Sequence, residues 1–229
     1  MTDEPTALFE REDGGYRPTP LSGSPWSPDA LHGGPPAALL AREIERFEGG
    51  EQFRVARLTV ELLRPVPYER LEIATHLRRP GRNVQLIEAS LRSPSHEVAR
   101  ATGLRIRRGA VPLPEARSED APPPGPETGH APPDPAGPFL EGFHSVGVEH
   151  RFIRGSFAEP GPGVDWIRLR VPLLDGEEPS PLCRACAAAD FGNGISGLAP
   201  GTHTYINPDL TIYLDRLPGS GRDRSSGRG

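Results

Sequence analysis

The chain has 229 residues, of which 35% are hydrophobic and 25% are charged, with a formal net charge of −5 at pH 7. This length allows one large domain or two domains of about 100 residues, and either can bury a core. No apolar run approaches the ~18 residues that a membrane span needs, and no signal-peptide pattern is present, which predicts a cytoplasmic protein. The negative charge and an aromatic content of 6% argue against a nucleic-acid partner.

The first predicted element is a helix that follows a glycine- and proline-rich segment. Apolar side chains recur on one face from Ala37 to Phe47, and Pro36 suits a first helical position. The pattern then changes to the alternation typical of strands, which are predicted at residues 53–63, 71–77, 84–91 and 98–106. We therefore expect a helix followed by an antiparallel meander, an α+β arrangement whose sheet curls around the helix.

A proline-rich stretch then divides the chain. Residues 109–138 contain ten prolines and, apart from Val111 and Leu113, almost no aliphatic side chain. Such a composition predicts an exposed, semi-extended linker. The predicted organisation is a first unit at residues 1–108, the linker at 109–138, and a second unit at 139–218.

The second unit repeats a pattern of the first. Residues 59–64 read Thr-Val-Glu-Leu-Leu-Arg, and residues 211–216, at an offset of 152, read Thr-Ile-Tyr-Leu-Asp-Arg. The same offset carries the start of the first helix onto the alanine-rich stretch 183–189, which is also predicted to be helical. We interpret the match as a tandem duplication.

The two cysteines, Cys183 and Cys186, form a single Cys-x-x-Cys in this second helix. A zinc site would need further cysteine or histidine ligands, and a redox pair belongs near a βαβ pattern. We expect both residues to be small side chains packed on a helix, with no metal and no organic cofactor.

Five motifs, in order along the chain, resemble the double hot-dog acyl-CoA thioesterases, in particular a type II, actinobacterial-looking branch. The motifs lie at residues 31–40, 58–67, 79–86, 188–194 and 206–211. The resemblance covers about residues 9–218 without the linker. It implies a tandem hot-dog fold, hydrolysis of acyl-CoA to free acid and CoA without a cofactor, and it allows a homodimer.

Asp190 and Asn207 are the predicted catalytic residues. Asp190 ends an apolar helix, where burial would raise its pKa and suit it to act as a base, and the resemblance places it at the family's catalytic aspartate. The alternative is an aspartate that bonds the amides of the next turn. Asn207 could orient water or form an Asx turn before Pro208. Relatives hold a hydroxyl-bearing residue at this position.

The predicted substrate-binding residues are His32, Gly33, Gly34, Arg64 and Arg82. The glycines precede a helix whose free amides favour developing negative charge, and they would let a thioester carbonyl approach. His32 could contact the ligand, and the arginines could meet CoA phosphates. The alternatives are a tight turn, a structural histidine and a solvated face.

Two other functions stay open. Enoyl-thioester hydratases of the hot-dog type use an Asp/His pair near a helix start, but no acidic residue closely follows His32 in sequence. A non-catalytic acyl-thioester-binding or degenerate hot-dog protein is favoured by the end of the chain, where the family's glutamine strand has no counterpart. Residues 219–229 contain no aliphatic or aromatic side chain. We therefore expect an incomplete second repeat and a disordered tail.

Overall fold

The computed structural model describes residues 4–110, 123–132, 141–195 and 206–219. The chain opens with a hairpin of two short strands, β1 (Phe9–Glu12) and β2 (Gly15–Pro18), which we did not predict. Asp13 and Gly14 form its two-residue turn with φ angles of 44° and 78°. Positive φ at both positions matches the twist of a hairpin, and Asp-Gly is a residue pair that favours it.

The predicted helix and four strands of the first unit are present. Helix α1 (Gly34–Arg46) is followed by four strands: β3 (Phe53–Leu62), β4 (Glu72–Arg79), β5 (Val84–Arg92) and β6 (Glu97–Arg107). Helix α1 buries the face that the periodicity indicated, including Ala37, Leu40, Ala41 and Ile44. On β6, the residues opposite this face are small, so the helix lies close to the sheet, where Gly103 meets the side chain of Ile44.

The second half supplies three strands and one helix among the described residues. They are β7 (Val148–Arg154), β8 (Val164–Leu169), α2 (Pro181–Ala189) and β9 (Asp209–Tyr213). Helix α2 and β9 match the predicted elements, whereas β7 and β8, which pair with each other, were not predicted. A single π-helical turn, Phe143–Gly147, precedes β7.

The main sheet is not the simple meander that we expected. Its strand order is β4-β5-β6-β3-β9, so β3 pairs with β6, the last strand of the first unit, instead of with β4. Tight turns join β4, β5 and β6, whereas residues 63–71, with Pro65 and Pro67, separate β3 from β4. This longer connection lets the chain cross to the far edge of the sheet before the next strand begins.

The two strands of the predicted repeat pair directly with each other. In the antiparallel β3–β9 ladder Thr59 lies opposite Thr211, and their hydroxyl oxygens are 3.4 Å apart. Equivalent residues that face each other across an antiparallel pair define a local two-fold relation between the halves. The sheet is therefore shared by both halves of the chain.

The two helices also pack against each other. Helix α1 has 13 residues and α2 has 9, and in the described part of the chain no helix is long and apolar enough to cross a membrane. Cys183 and Cys186 are free, buried thiols on α2. The expectation that they are small side chains packed on a helix is confirmed.

A buried arginine closes the carboxyl end of α1. Arg105, which is 1% exposed, donates to the carbonyl oxygens of Phe47 (2.8 Å) and Glu48 (2.9 Å). It also donates to Gln85 Oε1 at 2.6 Å. These carbonyls follow the last turn of the helix, where a cation stabilises both the free acceptors and the helix dipole.

Part of the predicted linker contacts the second half. His130 and Phe152 exchange backbone hydrogen bonds of 2.9 and 2.8 Å, and Trp166 Nε1 donates to Pro124 O at 2.8 Å. Residues 123–132 are thus anchored to β7 and β8. The remainder of the stretch, at 111–122 and 133–138, and the predicted tail at 220–229 lie outside the described residues. The division into two units stays a prediction.

Candidate active site

Five of the seven predicted site residues converge where the amino end of α1 meets the carboxyl end of α2: His32, Gly33, Gly34, Asp190 and Asn207. Gly33 is the N-cap of α1 and Asp190 is the C-cap of α2. A Cβ atom on Gly34 would lie 2.5 Å from Ala187 O, and one on Gly33 would lie 2.7 Å from Asp190 Oδ2. The two glycines therefore permit the close approach of the two helix ends, in addition to forming a turn.

The Asp190 carboxylate is buried, 8% exposed, and is held by donors from two parts of the chain, residues 32–33 and Asn207. His32 Nδ1 lies 2.8 Å from Oδ2, and Asn207 Nδ2 donates to Oδ1 at 2.7 Å. The Gly33 N–H also donates to this carboxylate. The same Asn207 amide donates to the backbone carbonyl of Asp190 at 2.8 Å, which fixes both ends of the residue.

The protonation of Asp190 differs from our expectation. Burial would raise the pKa of this carboxyl, but the hydrogen bond and charge of His32, with donors from Asn207 and Gly33, outweigh that effect. The pKa of Asp190 is therefore lowered, and the prediction of a raised value is wrong. The physical reason is that donors stabilise the ionised form more than the loss of water destabilises it.

The protonation of His32 Nδ1 determines whether the backbone N–H of Gly34 is available to another acceptor. Nδ1 lies near Asp190 Oδ2 (2.8 Å) and also 3.2 Å from the backbone nitrogen of Gly34. A ring nitrogen either carries a proton and donates or lacks one and accepts, so the two contacts exclude each other. With Asp190 ionised, Nδ1 donates to the carboxylate, and the Gly34 N–H is left for another acceptor.

Aromatic rings form the wall of the site. The His32 ring centroid lies 5.2 Å from that of Phe143 and 4.7 Å from that of Phe191, and the two phenylalanines stack at 5.7 Å. The Leu62 side chain, at the end of β3, contacts the same corner beside Gly33. Apolar groups on several sides exclude bulk water, which strengthens polar interactions inside the site.

A second histidine–aspartate pair supports this wall. His150 Nδ1 lies 2.5 Å from Asp165 Oδ2, and the other oxygen of Asp165 accepts from the Arg151 N–H at 3.0 Å. His150 Nε2 donates to His144 O at 3.0 Å, and the ring meets Phe191 edge-on at 4.9 Å. The pair therefore ties β7 and β8 to the π-helical turn and to Phe191.

His144 is a third imidazole near the site, and it is partly buried. Burial, with smaller contributions from the charges of His32 and His150, lowers the pKa of His144 to about 4. Its Nδ1 atom is buried and has no hydrogen-bond partner among the described residues. His144, His150 and Asp165 were not among the predicted site residues, because the sequence pattern indicated neither the π-helical turn nor the β7–β8 pair that brings them together.

The two predicted arginines are not part of this cluster. Arg64 is exposed, two residues after the end of β3, and it makes no hydrogen bond or ion pair with the cluster within the described chain. Arg82 is exposed in the β4–β5 turn. That turn lies beside the start of β3, because Val84 and Arg54 both pair with Ile106. Arg82 is thus at the opposite end of the sheet, roughly 25 Å from the site.

Two open cavities lie elsewhere on the molecule. One, of about 330 Å³, is lined by residues at the carboxyl end of α1, such as Arg46 and Gly50. The other, of about 340 Å³, lies near the start of α2 beside Glu177 and Arg184. Neither is lined by His32 or Asp190, so the candidate site is defined by its polar contacts and not by either cavity.

The helix enclosed by an antiparallel sheet defines a hot-dog fold, and comparison with solved structures agrees. A conserved protein of unknown function with hot dog fold from Alicyclobacillus acidocaldarius has a TM-score of 0.66 and 19% identity, covering 94% of this chain and 78% of that chain. A candidate thioesterase II from Thermobifida fusca YX has a TM-score of 0.65 and 17% identity, covering 93% and 80%. At these identities the likeness establishes the fold.

Family models then identify the family within this fold class. The acyl-CoA thioesterase N-terminal domain model matches residues 22–106, and the corresponding C-terminal domain model matches residues 118–224. The chain belongs to the acyl-CoA thioesterase family. No match was found among curated proteins.

Proposed function

We propose that the protein hydrolyses acyl-CoA thioesters to a free acid and CoA at the site around Asp190. The observation that supports this most directly is the buried Asp190 carboxylate, held by His32 and Asn207 beside the amino end of α1. Thioester hydrolysis needs a group to activate water, donors for the developing oxyanion, and an apolar surround. The cluster offers a candidate for each of these requirements.

In this proposal Asn207 orients the water, and Asp190 holds the Asn207 amide in place. The two N–H groups of the Asn207 amide face two acceptors, the backbone carbonyl of Asp190 and its carboxylate. This network fixes the orientation of the amide and leaves its Oδ1 atom to accept a hydrogen bond from water. Asn207 would thus take the part of the hydroxyl-bearing residue that relatives hold at this position.

The thioester carbonyl is proposed to meet the backbone of Gly34. The Gly33 N–H is already used by the Asp190 carboxylate. The Gly34 N–H is free once His32 Nδ1 donates to Asp190, and it belongs to the first turn of a 13-residue helix. An unpaired amide at a helix start can stabilise an oxyanion, and the dipole of the helix adds to this effect.

A second candidate function is hydration of an enoyl thioester. Its specific support is the His32–Asp190 pair at the start of α1, at a distance of 2.8 Å. Sequence spacing had argued against such a pair, because Asp190 comes from the other half of the chain. Both functions use an activated water, and they differ in the carbon that the water attacks.

A parallel assay tests the two candidates. Saturated acyl-CoAs of increasing chain length and a matching series of 2-enoyl-CoAs are each incubated with the protein, and release of CoA thiol and loss of enoyl absorbance are followed. Binding is measured separately by calorimetry. We expect release of CoA from the saturated series. Loss of enoyl absorbance alone would favour hydration, and binding without either reaction would contradict both enzymatic proposals.

A further inference from the structure

We infer that His32 is the base that takes the proton from the attacking water through Nε2, while Asp190 holds the proton on Nδ1. This inference rests on the proposed hydrolysis and assigns its proton transfer to a residue different from the one predicted from sequence. It makes His32 a catalytic residue and Asp190 a positioning residue for the imidazole.

The Asp190 carboxylate is already occupied by hydrogen-bond donors. Its oxygens accept hydrogen bonds from Asn207 (2.7 Å), from His32 (2.8 Å) and from the Gly33 N–H. A carboxylate has about four acceptor positions, so little capacity is left for a water molecule. Donors that stabilise the ionised form also make the group a weaker base.

The placement of the His32 ring leaves its Nε2 atom available. Nδ1 faces Asp190, and the ring is held at 5.2 and 4.7 Å from Phe143 and Phe191. Nε2 points away from Nδ1 across the ring and has no hydrogen-bond partner in the described parts of the chain. The His32 side chain is 10% exposed, so the ring retains contact with solvent. A carboxylate that fixes the proton on one ring nitrogen leaves the other as an acceptor.

In this mechanism His32 carries one proton from the attacking water to the sulfur of CoA. Water attacks the thioester carbonyl carbon, a C–O bond forms, and one water proton moves to His32 Nε2 while the carbonyl oxygen becomes an oxyanion. When the intermediate collapses, the C–S bond breaks and the proton on Nε2 moves to the sulfur of CoA. The products are the free acid and CoA thiol, and His32 returns to its neutral form.

Activity as a function of pH tests the assignment. The wild-type protein should lose kcat/KM on the acid side, because a base that takes a proton from water must itself be unprotonated. His32→Gln should lower kcat about a hundredfold or more, with a smaller change in KM, and should lack this acid limb. His76→Gln, at an exposed position on β4, is the matched control and should keep the wild-type profile.

The tautomer of His32 provides a readout that needs no turnover. Nitrogen NMR of histidine-labelled protein should show His32 protonated on Nδ1 and bare on Nε2, and Asp190→Asn should reverse this. A proton on Nε2 in the wild-type protein would overturn the inference, even where His32→Gln fails to fold. Release of CoA with an unchanged acid limb in His32→Gln would overturn this inference alone. Absence of CoA release by the wild-type protein would overturn the proposed function and the inference with it.

Discussion

Asp190 and Asn207 hold the same carboxylate in place, and their substitutions should differ in severity. Asp190→Asn removes the charge that fixes His32, so we expect a loss in kcat of about 10²- to 10⁴-fold. Asn207→Ala removes one of the donors to Asp190 and leaves His32 in place, so the loss should be smaller. Steady-state kinetics on both variants give this ranking, and a larger loss in Asn207→Ala would mean that Asn207 is the main holder of the water.

The close packing of the two helix ends at Gly33 can be tested by adding a methyl group there. A Cβ at this position would lie 2.7 and 2.9 Å from the two carboxylate oxygens of Asp190 and 2.8 Å from Leu62 Cδ1. Gly33→Ala should therefore displace the carboxylate and reduce turnover strongly. Gly192→Ala, where nothing lies within 4 Å of the added Cβ, is the matched control. Equal activity in the two variants would contradict the close packing of the helix ends.

At the residue scale, the sequence indicated most members of the site but not their arrangement. Motifs marked His32, Asp190 and Asn207 because each lies beside a turn or a helix end. The contact between His32 and Asp190 joins distant parts of the chain, and no local pattern encodes it. For the same reason, the pKa of Asp190 was predicted in the wrong direction, since burial could be guessed and its donors could not.

At the element scale, Glu177 clamps α1 to the segment before α2. Its carboxylate accepts from Arg42 Nε and Nη2 at 2.6 and 2.7 Å and from Arg46 at 2.7 Å. The hydrogen bond from Arg42 is the main cause that lowers the pKa of Glu177 from 4.5 to about 2. A carboxylate with a depressed folded-state pKa stabilises the fold above its unfolded pKa, and this stability is lost as the pH falls toward 2.

Substitution of Glu177 should therefore have a pH-dependent effect. We expect Glu177→Gln to lower the free energy of unfolding by about 1–3 kcal/mol near pH 7, because it removes one of the two carboxylates paired with the buried Arg42 and leaves only Glu43. The difference from wild type should narrow between about pH 5 and 2. Urea titrations across this range measure it, with Glu69→Gln, at an exposed loop position, as the control. A difference independent of pH would show that the charge of Glu177 is not its cause.

Sequence periodicity predicted most helices and strands, but it did not predict which strands pair when they are distant in sequence. The 3.6-residue and two-residue patterns placed α1, α2 and the strands of the main sheet. Strands β1 and β2 are short and largely polar, and Asp13-Gly14 was the sequence feature that could have revealed them. The strand order depends on the edge of the sheet to which residues 63–71 lead the chain. That edge is set by the assembled sheet and not by a local sequence pattern. Alternation also puts Arg105 on the core face of β6, where an arginine is unexpected.

At the scale of the whole molecule, the two cysteines report on the contact between the halves. Cys183 and Cys186 are 2% and 0% exposed on α2, and burial raises the pKa of Cys183 to about 11. Since the thiolate is the reactive form, we expect the native protein at pH 8 to resist a thiol reagent until global unfolding exposes both thiols. Arg82→Cys, at an exposed turn, should react at once and serves as the positive control.

Labelling kinetics distinguish two modes of opening. Reaction at the rate of global unfolding means that α2 leaves α1 only when the whole fold is lost. Rapid stoichiometric labelling of the native protein would mean that α2 opens separately, and such opening would also separate Asp190 from His32.

The pairing of Thr59 with Thr211 bears on how this molecule became specialised. The offset of 152 residues between these threonines carries Asn207 onto Val55, a side chain that is 4% exposed and packs in the core. At one end of the two-fold strand pair, Asn207 orients Asp190. At the equivalent position of the other end, Val55 packs in the hydrophobic core. In a dimer of identical chains the two equivalent positions carry the same residue, so one side chain must serve both the reaction and the packing of the core. A fused chain can dedicate one end to chemistry and the other to stability.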